Sequence, residues 1–553
     1  MDDVKAFEMN RSISTGLLLI VPVFCFVVGH ILLRSYEPIY FGFTNLAFGY
    51  DYDPSYAYLF NGAAVADLHS PGIVVHPGTT SFILIACYLR LYQAWNWIST
   101  AGQQNLLTII LSDPEAALRF VSRANMVLFA FCVLWLGFVA KQALRNTEAA
   151  LLIQTLPILY AEFVRPGMIG AEATLMVFGV LLLSLFLLEW TVYRDDTLDK
   201  KRWLPFAIGL CIAAMLVAKI TSAPLLLLLG AIESRRRLLL GVAGAVAGIV
   251  LLLLPILPGL LAMANWYVEL ATHTGQYGSG STGVLEWVTV KGNASRLLKN
   301  YWLTGLLLVA ASVIVASSVR ASHNSFKERM SDWRSRFVIA ALAASLLLTA
   351  LVLKHFGFRY FVPCVIVSSL LLGLCIFLHF SELLPRSSRR AILAGSLACY
   401  AVWFAAFRAP ELPTSLSQRD EIQRRSKFMQ SMASLKAELP NSIWIGAYDV
   451  HDVNYAVAFG IGYAGERIAR QMAGRSPLVA SYNRWNNKFW LNGEWVPGQV
   501  ITELVRRGKS VFMLLPNDLS PQSLDVQVQL ERELFDGTHV YRVMDHLDGK
   551  GSN

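Results

Sequence analysis

Apolar residues along most of this chain are gathered into long blocks that short polar segments separate. Because a bilayer-spanning helix needs about 20 mainly apolar residues, blocks of this length indicate membrane helices rather than the alternating pattern of a half-buried strand. The blocks predict about eleven to thirteen membrane helices in the first four-fifths of the chain. They lie at residues 14–33, 79–95, 120–139, 149–163, 169–193, 203–219, 223–232, 238–262, 301–319, 337–354, 360–380 and 391–407.

Two of these blocks complicate the count. The block at 223–232 is too short to cross a bilayer as an α-helix unless the membrane is locally thin. The block at 79–95 raises a question of parity, because a single crossing there would reverse the side of every later loop. Either this helix does not cross, or residues 106–111 help the chain to return, and the sequence leaves both alternatives open.

The pattern changes after Pro410. A run rich in Arg, Gln, Glu, Lys and Met and a later short run predict helices, and two short apolar runs predict buried strands. The helices are expected at 415–439 and 501–507 and the strands at 442–447 and 510–515. We therefore expect an α-helical polytopic membrane bundle at residues 1–410, followed by a soluble α/β domain at residues 411–553.

Composition also favours a membrane protein. Hydrophobic residues make up 55% of the 553 residues and charged residues 15%, with a mean hydropathy of +0.48. Soluble domains carry about 25% charged residues, so a soluble globular enzyme is excluded. All seven cysteines lie inside apolar blocks, which leaves no extramembrane cysteine pair for a disulfide or a zinc site.

The net charge of +9 comes from Lys and Arg clusters in short loops between the blocks. Such clusters mark cytoplasmic loops under the positive-inside rule, so this charge does not indicate nucleic-acid binding. The clusters lie within residues 141–145, 194–202, 235–237, 320–336 and 386–390. If these loops are cytoplasmic, three segments face outward: 34–78, 265–300 and the chain after residue 410.

The outward segment 34–78 carries an acidic motif, Asp51-Tyr52-Asp53-Pro54. The proline favours a turn after the two carboxylates, and an amphipathic stretch beginning at Tyr56 follows. A carboxylate beside apolar surface has a raised pKa and can accept a proton from a hydroxyl. The motif therefore fits a general base acting on a lipid-borne substrate. The alternative is a solvated turn that starts a helix.

Positive charge on outward segments runs against the orientation rule and points to an anionic ligand. Lys219 ends one apolar block, and a group containing Lys354, His355, Arg359 and Tyr360 lies between two others. Arg and Lys side chains are well suited to binding phosphate. A lysine at the end of a block can also reach the lipid headgroups without a ligand, so both explanations stay open for Lys219.

A third outward group combines both signs of charge. Glu162, Arg165 and Glu172 form either a mutually neutralised structural network or a set that orients a polar substrate. His76 precedes a Pro-Gly pair at the start of a block. No second histidine stands at zinc-ligand spacing from His76, so a metal role is weakly supported. The Pro-Gly pair instead favours a turn at the membrane surface.

Together these motifs resemble the GT-C glycosyltransferases, integral-membrane enzymes that take a sugar from a polyprenyl-phosphate carrier. The likeness is strongest to the branch of protein O-mannosyltransferases and lipid A aminoarabinose transferases, and it covers about residues 10–410. The motifs that carry it are the acidic motif with Tyr56, His76-Pro77-Gly78, Lys219 followed by a proline, and Arg359-Tyr360 with Pro363. That branch often has an Asp-Glu pair in the acidic motif, whereas Tyr52 separates two aspartates here, so the choice between Asp51 and Asp53 stays open.

The resemblance implies an inverting glycosyltransferase. Asp53 would deprotonate the acceptor hydroxyl. Asp51 would position the acceptor or, if the enzyme uses a divalent metal, hold the metal together with Asp53. The donor phosphate would be bound by Lys219, Arg359, Lys354, His355 and Tyr360. The substrates would be positioned by Tyr56, His76, Glu162, Arg165 and Glu172.

The expected partners are a polyprenyl-phosphate-linked sugar, a hydroxyl acceptor on a glycan, lipid or protein, and the lipid bilayer, without nucleic acid. The expected location is a bacterial inner membrane, with the active site and the C-terminal domain facing the periplasm. Two other functions stay open: a secondary transporter, and a non-catalytic membrane protein that handles lipid-linked glycans. Transporters place charged residues near the midplane of broken helices, whereas the ionisable residues here are predicted at helix ends.

Overall fold

A computed structural model gives the architecture of the protein. The structure describes residues 16–27, 55–74, 78–100, 105–158, 169–195, 201–274, 281–283, 286–300, 302–320, 332–354, 368, 371–374, 427, 430–432, 434–447, 457, 460–473, 480–483, 487–491, 494–515, 519, 521–534 and 538–545.

Among these residues, four helical segments are long and apolar enough to span a membrane: Pro114–Leu144, Ala171–Arg194, Arg235–Thr272 and Trp333–Leu351. The third of them consists of two α-helices joined by a 3₁₀ helix at Leu254–Gly259. Three shorter apolar helices are Leu17–Val27, Trp203–Ala218 and Ile220–Ala231. The prediction of apolar helices of membrane-spanning length is thereby confirmed. The predicted number of crossings stays a prediction, because the last two apolar blocks lie almost entirely outside the described residues.

Several α-helices before the sheet begin and end within a few residues of a predicted block, and several starts are fixed by side-chain caps. Asn105, Asn146 and Ser234 each accept a hydrogen bond from a backbone N–H in the first turn of the helix that follows. The helices are α1 (Ser55–Ala66), α2 (Thr79–Thr100), α3 (Leu106–Ser112), α4 (Pro114–Leu144), α5 (Thr147–Thr155), α6 (Ala171–Arg194), α7 (Trp203–Ala218), α8 (Arg235–Leu253), α9 (Leu260–Thr272), α10 (Trp287–Asn300), α11 (Trp302–Arg320) and α12 (Trp333–Lys354).

Two helices bear on the path of the chain after residues 79–95 and on the predicted loop at residues 265–300. Helix α3 has seven residues, which extend only about 10 Å along a helix axis, so it does not cross a bilayer by itself. Helix α10 occupies part of the segment 265–300, for which the block pattern predicts only an outward loop. Its apolar residues are too few and too scattered to register as a block, although they suffice for an amphipathic helix.

The chain divides into two compact units. The helical unit contains residues 1–31, 74–81 and 122–410, and the sheet unit contains residues 32–73, 82–121 and 411–553. Helix α1, which directly follows the acidic motif in sequence, therefore belongs to the same unit as the C-terminal sheet. Sequence pattern alone grouped it with the membrane bundle.

Within the helical unit, α7 packs closely against α8 and also against α6. Glycine makes the closest approach possible. A Cβ atom on Gly209 would lie 2.0 Å from the backbone oxygen of Gly241, and one on Gly244 would lie 2.1 Å from the backbone oxygen of Phe206. Small residues let helix backbones come together in this way in membrane proteins.

After α7 the chain continues as an unusually long 3₁₀ helix, Ile220–Ala231. A 3₁₀ helix rises about 2.0 Å per residue, compared with about 1.5 Å for an α-helix. The 12 residues of this segment therefore extend about 24 Å, instead of the roughly 18 Å of an α-helix. The block at 223–232, which is too short as an α-helix, gains length by adopting the narrower helix.

The sheet unit contains a seven-stranded sheet in the order β4-β3-β2-β1-β5-β7-β6. Its centre is parallel, with β1 between β2 and β5. On each side of this centre the two further strand pairings are antiparallel. The strands are β1 (Ile443–Ala447), β2 (Ala480–Asn483), β3 (Lys488–Leu491), β4 (Glu494–Val496), β5 (Val511–Leu515), β6 (Val528–Glu533) and β7 (His539–Val543). Helix α13 (Glu466–Ala473) precedes β2, and α14 (Gly498–Arg506) precedes β5.

The two predicted strands are confirmed as β1 and β5, which are buried along their whole length. Trp444 of β1 stacks on Phe512 of β5 with ring centroids 4.9 Å apart. Helix α14 confirms the second predicted helix within a few residues. Fully apolar central strands flanked by helices are typical of a parallel sheet covered on both faces.

Candidate functional site

Lys219 lies at an interruption between two helices. Helix α7 ends at Ala218, and Lys219 has an extended backbone (φ −158°, ψ 120°) before the 3₁₀ helix begins at Ile220. The Lys219 N–H still donates to the backbone oxygen of Met215, which completes the last turn of α7. The helical backbone is therefore interrupted at a residue that the sequence predicts to bind phosphate.

Glu172, in the first turn of α6, forms an ion pair with Lys219 through its Oε1 atom. The two side chains are only 16% and 4% exposed. A carboxylate in the first turn of a helix is stabilised by the positive end of the helix dipole. The structure therefore brings together two of the predicted site residues, one from the phosphate-binding set and one from the substrate-positioning set.

Buried hydroxyl groups lie at the same end of the helical unit. The Thr174 hydroxyl, two residues after Glu172 on α6, donates to the Ser81 hydroxyl oxygen at 2.8 Å. Ser81, Thr79 and Thr80 are all buried at the start of α2. Because a residue near the start of α2 bonds one near the start of α6, two positive helix ends lie together, an arrangement that favours negative charge.

A second buried ion pair lies toward the other end of α6. Arg237 Nη2 donates to Glu189 Oε2 at 2.5 Å, and the side chains are 6% and 1% exposed. Glu189 follows Glu172 by 17 positions, which correspond to about 25 Å along an α-helix. This separation is close to the roughly 30 Å thickness of a hydrocarbon core, so the two pairs mark opposite ends of an apolar helix.

Lys354, another predicted phosphate ligand, lies at the end of α12 and binds the end of a neighbouring helix. Its Nζ atom donates to the backbone oxygens of Leu270 and Ala271, at 3.0 and 2.8 Å. These carbonyls belong to the last turn of α9, where a cation offsets the negative end of the helix dipole. Partial burial lowers the pKa of Lys354 from its ordinary value. The observed contacts of Lys354 are thus those of a helix cap.

Tyr56 lies in the sheet unit, in the second position of α1, and is completely buried. Its ring stacks on Phe60, and burial raises the pKa of its phenol, with the Glu115 and Asp113 carboxylates adding to the effect. Its hydroxyl has no hydrogen-bond partner among the residues that the structure describes. The phenol is therefore neutral, and Tyr56 is a packing residue of α1 in the observed arrangement.

The other predicted site residues lie outside the described residues: Asp51, Asp53, His76, Glu162, Arg165, His355, Arg359 and Tyr360. Their convergence with Lys219 on one cavity stays a prediction. In the described part of the chain, no group of three or more His, Cys, Asp or Glu side chains could hold a metal ion. The two aspartates proposed for a metal are not among the residues searched.

Sequence reasoning missed two features, one in each compact unit. Thr79, Thr80 and Ser81 open an apolar block as three consecutive hydroxyl residues, a signal that was present but that reads equally as a helix start. Asp67 pairs with Arg467, 400 positions away along the chain. No local pattern identifies such a pair.

The described residues define an α-helical protein with apolar helices of membrane-spanning length and a C-terminal domain built on a mixed sheet. Comparison of the chain with protein-family models and with curated protein sequences gave no match. The sequence motifs and the geometry around Lys219 are therefore what bears on the function of this protein.

Proposed function

We propose that the protein is an inverting glycosyltransferase that moves a sugar from a polyprenyl-phosphate donor to a hydroxyl acceptor at the outer face of a membrane. The observation that carries the proposal is Lys219, a buried cation at a helix interruption that is ion-paired with Glu172 beside two positive helix ends. The order of the sequence motifs supports the same assignment.

A donor of this kind is amphipathic, so its site must offer both an apolar surface and a cation near the membrane boundary. Lys219 follows 16 residues of apolar helix and precedes another apolar segment. A phosphate entering this region would compete with the Glu172 carboxylate for the ammonium group. The hydroxyls of Thr174 and Ser81 lie at the same helix ends and can donate to phosphate oxygens.

In the proposed reaction, the acceptor hydroxyl gives its proton to the Asp53 carboxylate as its oxygen bonds to the anomeric carbon. The bond from that carbon to the phosphate oxygen breaks, and its electron pair stays on the phosphate. Attack opposite the leaving group inverts the anomeric configuration. Lys219 and Arg359 stabilise the charge that develops on the departing phosphate, and Asp51 holds the acceptor.

The test uses the purified full chain in liposomes with a radiolabelled polyprenyl-phosphate sugar and a mixture of hydroxyl acceptors. We expect sugar transfer by the natural sequence, loss of transfer in Asp53→Asn, and at least a roughly hundredfold loss of turnover or donor affinity in Lys219→Met. Lys201→Met is the matched control, because it removes a lysine at the opposite end of α7. Full transfer by Asp53→Asn would exclude the proposed base.

A secondary transporter is the second candidate, because Lys219 lies at the break between two helices and is ion-paired, as coupling residues of transporters are. The two functions differ in covalent chemistry. A transporter would move an intact anionic solute across the liposome membrane without cleaving the sugar from its phosphate. Uptake without cleavage, lost in Lys219→Met, would favour transport over transfer.

A further inference from the structure

Helix α1 directly follows the acidic motif in the sequence, and it is almost completely buried. Asp53 is joined through Pro54 to Ser55, the first residue of α1, and 11 of the 12 residues of this helix are buried. A helix that is buried on every side has its position fixed by its surroundings. The groups that surround α1 therefore determine where the chain following Asp53 is held.

Part of that surrounding comes from the C-terminal domain, through residues 460–473, which we name the docking segment. Asn61 of α1 is fully buried, and its Nδ2 donates to the backbone oxygen of Tyr463 in this segment at 3.0 Å. The same amide also donates to the backbone oxygen of Ala57 and accepts from the N–H of Ile73. One side chain thus connects α1, the chain after α1 and the docking segment, and losing a buried polar partner is costly.

Two glycines allow the docking segment to pack directly against α1 and against the chain that follows α1. A Cβ atom on Gly460 would lie 2.6 Å from the Cβ of Tyr56, and one on Gly72 would lie 2.4 Å from the backbone nitrogen of Gly465. Gly465 itself has φ +90°, a conformation that side-chain-bearing residues rarely adopt. Alanine does not fit at Gly460 unless the docking segment moves away from α1.

An ion pair completes the contact. Arg467, in the first turn of α13, donates through both Nε and Nη2 to Asp67 Oδ2, at 2.9 and 2.5 Å. Asp67 is the residue directly after α1. Two donors from one guanidinium fix orientation as well as distance, so this pair holds the end of α1 that is remote from the acidic motif.

We propose that the C-terminal domain is a positioning device for the acidic motif, acting through the docking segment on α1, with Asn61, Gly460 and Arg467 as positioning residues. The proposal rests on the proposed function, because the motif matters as the base of the transfer reaction. It also gives the C-terminal domain a role that does not require it to contact either substrate. Displacing the docking segment should therefore slow the chemical step and leave binding of the donor largely intact.

The sharpest test compares two glycine substitutions two positions apart. Gly460→Ala places a methyl group against Tyr56, whereas at Gly462 the added Cβ would meet only Trp490, at 3.9 Å, and no part of α1. Both full-length variants are measured in lipid nanodiscs by amide hydrogen exchange of residues 55–66 and by steady-state transfer kinetics. For Gly460→Ala we expect about tenfold faster exchange in α1 and about a tenfold lower kcat, with the donor KM within about twofold. Gly462→Ala should match the natural sequence in both.

Rescue of the ion pair provides the second test. Arg467→Asp alone should lower kcat several-fold, and the double variant Asp67→Arg with Arg467→Asp should recover most of it. Arg470→Gln is the control, since Arg470 lies one turn further along α13 and pairs with Glu466 of the same helix. Absence of rescue, or an equal loss in Arg470→Gln, would overturn the positioning role of Arg467.

The two proposals fail in different ways. If the natural sequence transfers no sugar but α1 exchanges faster only in Gly460→Ala, the docking is real and the proposed function is wrong. If the natural sequence transfers sugar and the two glycine variants behave alike in exchange and in kcat, the positioning proposal is wrong and the enzyme assignment survives.

Discussion

At the scale of single residues, Lys219 and Glu172 form a buried ion pair in the helical unit, as Arg237 and Glu189 do. Removing one member of a buried pair commonly costs about 3–5 kcal/mol, because the other charge is left without compensation. A buried ion pair in an apolar setting is informative about function, because two well-packed apolar side chains of similar volume often stabilise a fold equally well or better. Intramembrane ionisable residues often mark binding sites for this reason.

Glu172→Gln separates the contribution of this ion pair to stability from its effect on binding of the donor. The amide keeps the volume and one oxygen acceptor but removes the charge that competes with a phosphate for Lys219. We expect a lower thermal unfolding midpoint without ligand, a donor KM reduced several-fold, and a larger rise of the midpoint on adding polyprenyl phosphate than in the natural sequence. Differential scanning fluorimetry in one detergent and initial-rate kinetics measure these quantities.

A conservative companion variant, Glu172→Asp, keeps the charge and serves as the comparison. If Glu172→Gln instead raised the donor KM while Glu172→Asp did not, Glu172 would bind the substrate directly rather than compete with it. The assignment of Lys219 to the donor phosphate would then need another counter-charge.

At the scale of elements, the backbone around Lys219 combines two unusual features. Helix α7 stops in an extended residue, and a 3₁₀ helix of 12 residues follows, with Pro224 inside it. Runs of 3₁₀ helix longer than three or four residues are uncommon, because their hydrogen-bond geometry is poorer. The packing of this segment against α12 and α7 compensates for that geometry.

The contact between α7 and α8 predicts that alanine has different effects on stability at two glycines of the helical unit. Gly244→Ala would bring a methyl group to 2.1 Å from the backbone oxygen of Phe206, whereas at Gly230 no atom lies within 4 Å of an added Cβ. We expect Gly244→Ala to destabilise the protein by about 1–3 kcal/mol, as overpacking typically does. Gly230→Ala should be close to neutral. Thermal unfolding in detergent measures both, and equal midpoints would contradict the observed helix packing.

The strands show why some elements were predicted and others were missed. Strands β1 and β5 are continuous apolar runs that are buried on both faces, so composition alone reveals them. Strand β4 has three residues, and β6 is largely exposed and mostly polar. Their conformation comes from pairing with neighbours rather than from a hydrophobic pattern of their own.

At the scale of the whole molecule, charge distribution sets the expected orientation. Lys201, just before α7, and the three arginines at the start of α8 lie at the end of the helical unit that holds Glu189. The pair of Lys219 and Glu172 lies about 25 Å away along α6. Under the positive-inside rule, we expect Arg237 to lie on the cytoplasmic side.

Cysteine accessibility in intact cells tests this orientation. In a background without the seven native cysteines, Lys509→Cys in the C-terminal domain should react with a membrane-impermeant maleimide added outside. Arg236→Cys should react only after the membrane is permeabilised. Both positions are exposed, so burial does not explain a difference in labelling. Labelling of Arg236→Cys alone in intact cells would reverse the proposed orientation and place the acidic motif in the cytoplasm.

Local sequence by itself determined the apolar helices, the interruption at Lys219, the two central strands and the candidate residues, because hydrophobic runs and helix-breaking signals are properties of neighbouring positions. Tertiary structure alone decided that Lys219 pairs with Glu172, that Lys354 caps α9, and that α1 packs with the C-terminal sheet unit. Each of these depends on groups distant in the chain whose burial and charge are satisfied only when the fold brings them together.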